Sequence, residues 1–137
     1  MPTLNGLISG FVAGDHLSLV RTIDRDGGGD PDQAMADGLT ITRAWLTIKV
    51  NPTDPDITVG VIQKEITTSL VPDVGQIEND GTANADPILR FDLTPTDTGA
   101  IGGRPKHYDI QVLMSNLKLY TPERGRIYAT SQVTLDT

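Results

Sequence analysis

The clearest alternation of apolar and polar positions lies between residues 88 and 113. Leu89, Phe91 and Leu93 share one parity, and Arg90 and Asp92 take the other. Tyr108, Ile110 and Val112 repeat the pattern against Asp109 and Gln111. A period of two marks a strand with one buried face and one wet face. Between the two runs, Pro95, Gly99, Gly102, Gly103 and Pro105 break regular structure, so an irregular corner is expected there.

Weaker patterns fill the rest of the chain. Residues 4–12 are short, Gly-interrupted and mildly apolar, and residues 1–12 read as an edge strand or an N-terminal arm. In residues 16–23, Leu17, Leu19 and Ile23 share a face with Arg21, while His16, Ser18 and Thr22 face away. Residues 39–50 place Ala44, Leu46, Ile48 and Val50 on one face, with Arg43, Trp45, Thr47 and Lys49 on the other. Leu39 and Ile41 are out of phase with them, which predicts a bulge or twist near Thr42. Residues 57–66 form another strand, with Val59 and Val61 in one phase, Ile62 and Ile66 in the opposite one, and residues 63–65 exposed. Residues 71–87 read as an excursion loop or weak hairpin. Residues 117–120 predict a short strand, residues 121–125 a tight turn, and residues 126–135 a closing strand on Ile127, Ala129, Val133 and Leu135.

Residues 24–38 are a long polar connection holding Gly27, Gly28 and Gly29, which neither pack a strand nor hold a helix. At most a single helical turn fits over residues 31–37, with Asp30 as its cap and Pro31 first. About seven or eight strands at this spacing, with little helix signal, predict an all-β chain. No repeat or domain boundary is visible, so residues 1–137 are expected to form one antiparallel β-sandwich with long polar loops.

Composition narrows the function. The net charge of −7 repels phosphate backbones and anionic lipid surfaces, so neither nucleic acid nor membrane is an expected partner. The absence of cysteine excludes disulfides and thiolate metal sites. No apolar run approaches the roughly 18 residues of a spanning helix. The start, Met1-Pro2-Thr3-Leu4, lacks the basic and apolar regions of a secretory signal, so none is expected.

Phe91-Asp92-Leu93-Thr94-Pro95-Thr96-Asp97-Thr98, then Tyr108-Asp109-Ile110, then Gly125-Arg126-Ile127-Tyr128 and Val133-Thr134 carry a resemblance. Together they are similar to the Ig-like domain of phage tail and baseplate upper proteins, with Leu93, Thr94, Asp97, Thr98, Tyr108, Asp109, Ile110, Val133 and Thr134 at the matching positions. Gly14-Asp15 before Leu17-Ser18-Leu19, and Leu46-Thr47-Ile48-Lys49, suit that family's early strands. The resemblance implies an Ig-like sandwich and a non-enzymatic virion building block that works in multiple copies. It makes Tyr108 the corner tyrosine, its hydroxyl bonding backbone upstream. It also favours Trp45 as the core tryptophan of such a sandwich, against the alternative of an exposed interface anchor.

Several residues invite chemistry. Asp97-Thr98-Gly99-Ala100 matches the aspartic-protease tetrapeptide, and a dimer would bring two Asp97 side chains together to share a proton. Pro95 and Thr96 precede it where an apolar strand belongs, so a corner that hydrogen-bonds its own turn is preferred. Asp24, Asp26, Asp30 and Asp32 flank the glycines as calcium ligands do, but lack the distal Glu of an EF-hand, and a solvated hairpin is preferred. His16 and His107 sit at outward phases without the spacing of a zinc pair. No Gly-x-Ser-x-Gly is present, and no Gly-Lys-Ser/Thr follows the glycines. No metal, cofactor or catalytic residue is therefore expected.

The function expected is that of a phage virion structural protein of the tail or baseplate, made in the host cytoplasm and contacting copies of itself and other virion proteins. A head-surface decoration protein is the alternative. A carbohydrate-binding or adhesin module, or a dimeric aspartic protease through Asp97-Thr98-Gly99, ranks below. Residues 24–38 and the N-terminal arm are expected to carry much of the contact between subunits.

Overall fold

In the structure, a computed structural model, residues 4–23, 40–51, 62–78 and 86–130 are described. They form β1 (Leu4–Ile8), β2 (Leu17–Thr22), β3 (Ile41–Lys49), β4 (Ile62–Ile66), β5 (Gly75–Glu78), β6 (Ile88–Leu93), α1 (Pro95–Ile101), β7 (Lys106–Met114) and β8 (Leu119–Ile127). One sheet runs β1-β8-β7-β3-β4 and the other β2-β6-β5. The described residues form an all-β sandwich of eight strands.

The alternations locate the core. Leu89, Phe91 and Leu93 of β6 face Tyr108, Ile110 and Val112 of β7, and all six are buried. Leu19 of β2 and Ile77 of β5 join one layer; Ile41, Ala44, Leu46, Ile48 and Ile66 join the other. The register of β3 on β7 shifts between Ile41 and Arg43, at the expected bulge. The bulge turns Ile41 inward beside Ala44 although their parities differ.

Several expectations are corrected. The sandwich is not antiparallel throughout: β1 pairs parallel with β8, with Gly6 opposite Gly125. The two backbones meet closely there, and a Cβ on Gly125 would lie 1.9 Å from the Gly6 carbonyl oxygen. The expected turn at residues 121–125 is part of β8. Pro122 fits because the register shifts between Ile110 and Val112, which sets Thr121 and Pro122 against Gln111. A bulge excuses proline from the ladder donor it lacks. The turn lies earlier, where Asn116 Oδ1 accepts from the Lys118 amide and Leu117 adopts a φ of 65°. Residues 71–87, expected as a loop or weak hairpin, contain β5, paired antiparallel with β6. Val50, expected on the core face, is half exposed. The corner after β6 is a short helix, α1.

The expected connection at residues 24–38, with its helical turn at residues 31–37, lies outside the described residues. So do Leu39, Val59, Val61, Val133, Thr134 and Leu135. No helix among the described residues is long and apolar enough to cross a membrane.

Candidate functional site

The corner holds the Asp97-Thr98-Gly99 triplet. Thr94 is in extended backbone at φ −81° and ψ 166°, and its hydroxyl accepts from the Asp97 amide at 3.2 Å. The Thr94 amide donates to Asp97 Oδ2 at 2.8 Å, completing a reciprocal cap. Pro95 starts the helix where no amide donor is needed. Lys64 Nζ, on the core parity of β4, reaches the same Asp97 oxygen at 2.8 Å. Lys64 was expected to be exposed, yet its side chain is only 13% exposed because it spans to this corner. Thr98 is fully buried; its hydroxyl donates to the Asp15 carbonyl at 2.7 Å and accepts from the Gly14 amide at 3.0 Å.

Burial alone would raise the Asp97 pKa. The Lys64 ammonium and the Thr94 hydrogen bonds outweigh it and hold the carboxyl below its ordinary value. A protease dyad needs the opposite, a carboxyl that retains a shared proton. Asp97 and Thr98 therefore have fold roles that the protease arrangement would have to dismantle.

A second polar cluster bridges the two sheets. Arg21, on the core parity of β2, pairs with Glu123 of β8 at 2.8 Å. The buried Tyr108 hydroxyl donates to the other Glu123 oxygen at 2.6 Å. Burial first, and the Glu123 carboxylate second, push the phenol well above its ordinary pKa. Tyr108 has the expected fold role with a different acceptor: a carboxylate across the β7–β8 ladder, not upstream backbone. Gly6 makes room for it, since a Cβ there would lie 2.0 Å from the phenol oxygen.

The two histidines are on different sheets. His16 precedes β2 and borders a small depression with Ser18, Asp73, Arg90 and Asp92. His107 lies on the outer face of β7, opposite Lys49 and Arg126. Among the described residues, no three His, Cys, Asp or Glu side chains gather as metal ligands do. Asp24, Asp26, Asp30 and Asp32 lie outside those residues. Trp45 is half-buried between Glu65 and Gln111 on the outer side of the five-stranded sheet. The core role expected of it is overturned, because Ala44 and Leu46 on either side point inward.

Two sheet faces point outward, and they treat arginine differently. On the three-stranded sheet, Arg90 pairs with both Glu78 and Asp92, and Ser18 donates to Asp92 at 2.8 Å. On the five-stranded sheet, Asn5, Thr47, Lys49, His107, Asp109, Thr121, Arg124 and Arg126 line an open depression of about 530 Å3. Among the described residues, Arg124 and Arg126 have no carboxylate partner. This cationic face belongs to a chain of net charge −7. Its signal in the sequence was the Arg124-Gly125-Arg126 alternation, hidden by the expectation of a turn at residues 121–125.

No family model matches the chain, and no curated protein matches it either.

Proposed function

We propose that the chain is a non-enzymatic structural protein of a phage virion, a sandwich module of the tail or baseplate region that binds copies of itself and other virion proteins. The observation that carries this proposal is the β7–β8 hairpin tip. Leu117 is 83% exposed and holds a φ of 65°. That conformation is strained for a bulky side chain. The tight turn sets that backbone, since the Leu117 amide donates to the Met114 carbonyl, and it leaves the apolar side chain outward, where a partner can receive it. Leu119 beside it, and Leu7 on edge strand β1, extend the exposed apolar surface. The corner chemistry supports the same view, because Asp97 is held ionised by Lys64 and the helix cap. The resemblance of the Leu93–Thr98 and Tyr108–Ile110 segments to the phage tail and baseplate domain supplies the setting.

The test is location in the particle. Lys118, next to Leu117, should crosslink to a second virion protein or to another copy in purified particles, and a density map should place the sandwich in the tail or baseplate. A position on the head would replace the tail reading with the decoration reading. Absence of the chain from purified particles would overturn both.

A further inference from the structure

We infer that the cationic outer face of the five-stranded sheet docks the acidic β2–β3 connection, residues 24–38, of a second copy of this chain. The inference rests on the multi-copy reading above and names the contact. Arg124, Arg126, Lys49 and His107 gather on that face around a single carboxylate, Asp109, and the two arginines have no carboxylate within ion-pair distance among the described residues. The connection carries Asp24, Asp26, Asp30, Asp32 and Asp37 against Arg25 alone. Opposite patches on one molecule favour association between copies and penalise a like-charged neighbour.

Geometry favours a neighbour over the chain's own loop. The connection leaves at Ile23 and returns at Thr40, where the Thr40 amide donates to Ser115 Oγ and the Ser115 amide to the Thr40 carbonyl. That is the hairpin-tip end of the sheet. The cationic depression lies around Lys49 and His107, at the far end of β3. The nine residues of β3 separate the two ends by roughly 26 Å. A connection fixed at both ends would spend most of its reach going out to Arg124, level with Thr47, and back. A neighbour's face requires no such extension. The contact joins two different patches, so it is heterologous and builds rings or lines of copies.

The experiment measures self-association of the full chain by sedimentation velocity. Two charge-reversed forms are compared, Arg124→Glu/Arg126→Glu and Asp30→Arg/Asp32→Arg, with Lys49→Glu as a milder probe of the same face should the first fold poorly. The expected result is concentration-dependent association of the natural chain, weakened at least about tenfold between about 0.05 M and about 0.5 M salt. Each reversed form alone should stay monomeric. Mixing the two should restore association, because the natural face of the second form then meets the natural acidic connection of the first. Association that ignores salt and both reversals overturns the inference, as does a natural chain that stays monomeric at every concentration. Duplex DNA that binds the face more tightly than a second copy does also overturns it. None of these results bears on where the chain sits in a particle, so the two proposals fail separately.

Discussion

Asp97 at the corner and Glu123 on β8 are each held by one cation and one further donor: Lys64 and the Thr94 amide for the first, Arg21 and the Tyr108 hydroxyl for the second. The ion pairs are alike in length, 2.8 Å in both cases, and each pair is largely shielded from water. They differ in where the donors come from. Thr94 is three residues from Asp97, whereas Tyr108 and Arg21 are 15 and 102 residues from Glu123. The corner is a local motif with one long-range tie. The bridge consists only of long-range ties, and one of its members is a phenol inside the core. Losing the acid at the corner leaves a lysine that keeps a second acceptor, the Asp73 carbonyl at 3.0 Å, while losing it at the bridge strands a buried hydroxyl.

The substitutions that separate the two clusters differ in expected size. Glu123→Ala should lower the unfolding free energy most, by about 3 kcal/mol, because a buried hydroxyl and a guanidinium lose their acceptor together. Equilibrium urea unfolding measures it, and a loss no larger than that of Asp97→Ala would erase the distinction. Asp97→Ala should cost about 2 kcal/mol, the sum of a helix cap and a partly shielded ion pair. Asp97→Asn retains a cap acceptor and should cost about half of that. If peptide cleavage at acid pH appeared in the natural chain and vanished in Asp97→Asn, the corner would be catalytic after all.

A smaller effect probes the fit at the bridge. Gly6→Ala pushes a methyl group toward the Tyr108 oxygen and should cost about 1–2 kcal/mol. In a Tyr108→Phe background the obstacle is gone, and the cost should fall by at least about 0.5 kcal/mol. Equal costs in the two backgrounds would show that the close approach does not govern the packing.

The smallest differences appear in pH dependence, with opposite signs. The Asp97 carboxyl is held below its ordinary value, so its contribution is present above about pH 4 and is lost as pH falls through the folded value. The Tyr108 phenol is held above its ordinary value, so its contribution is complete below about pH 10 and is lost as pH rises beyond it. Asp97→Asn should flatten the acid limb of stability against pH and leave the alkaline limb alone. Tyr108→Phe should do the reverse.

How much was legible follows from how local each signal is. The β6 and β7 alternations, the Thr42 bulge and the inward parity of Arg21 are written in neighbouring residues, and all could be read. The corner helix was equally local, since Thr94-Pro95 with Asp97 three positions after the cap is a helix start. Gly99, Gly102 and Pro105 obscured it by reading as breakers. β8 was hidden by Pro122, which is tolerated only because of a bulge set by the register on β7. The cationic face needed that same register, because Lys49, His107 and Arg126 meet only across three strands. Trp45 was misplaced by family expectation although its own parity was correct.

The parallel pairing of β1 with β8 has a consequence for biogenesis. Leu4 is matched to Glu123 and Ile8 to Ile127, so β1 is made long before the strand it pairs with. Until β8 emerges, Ile8 has no final burial place and the β7 edge is bare. Contacts of such long sequence separation slow folding and leave unpaired edges open to stray partners. Stray pairing at these edges is therefore closed off only once β8 has emerged to join β1 and β7.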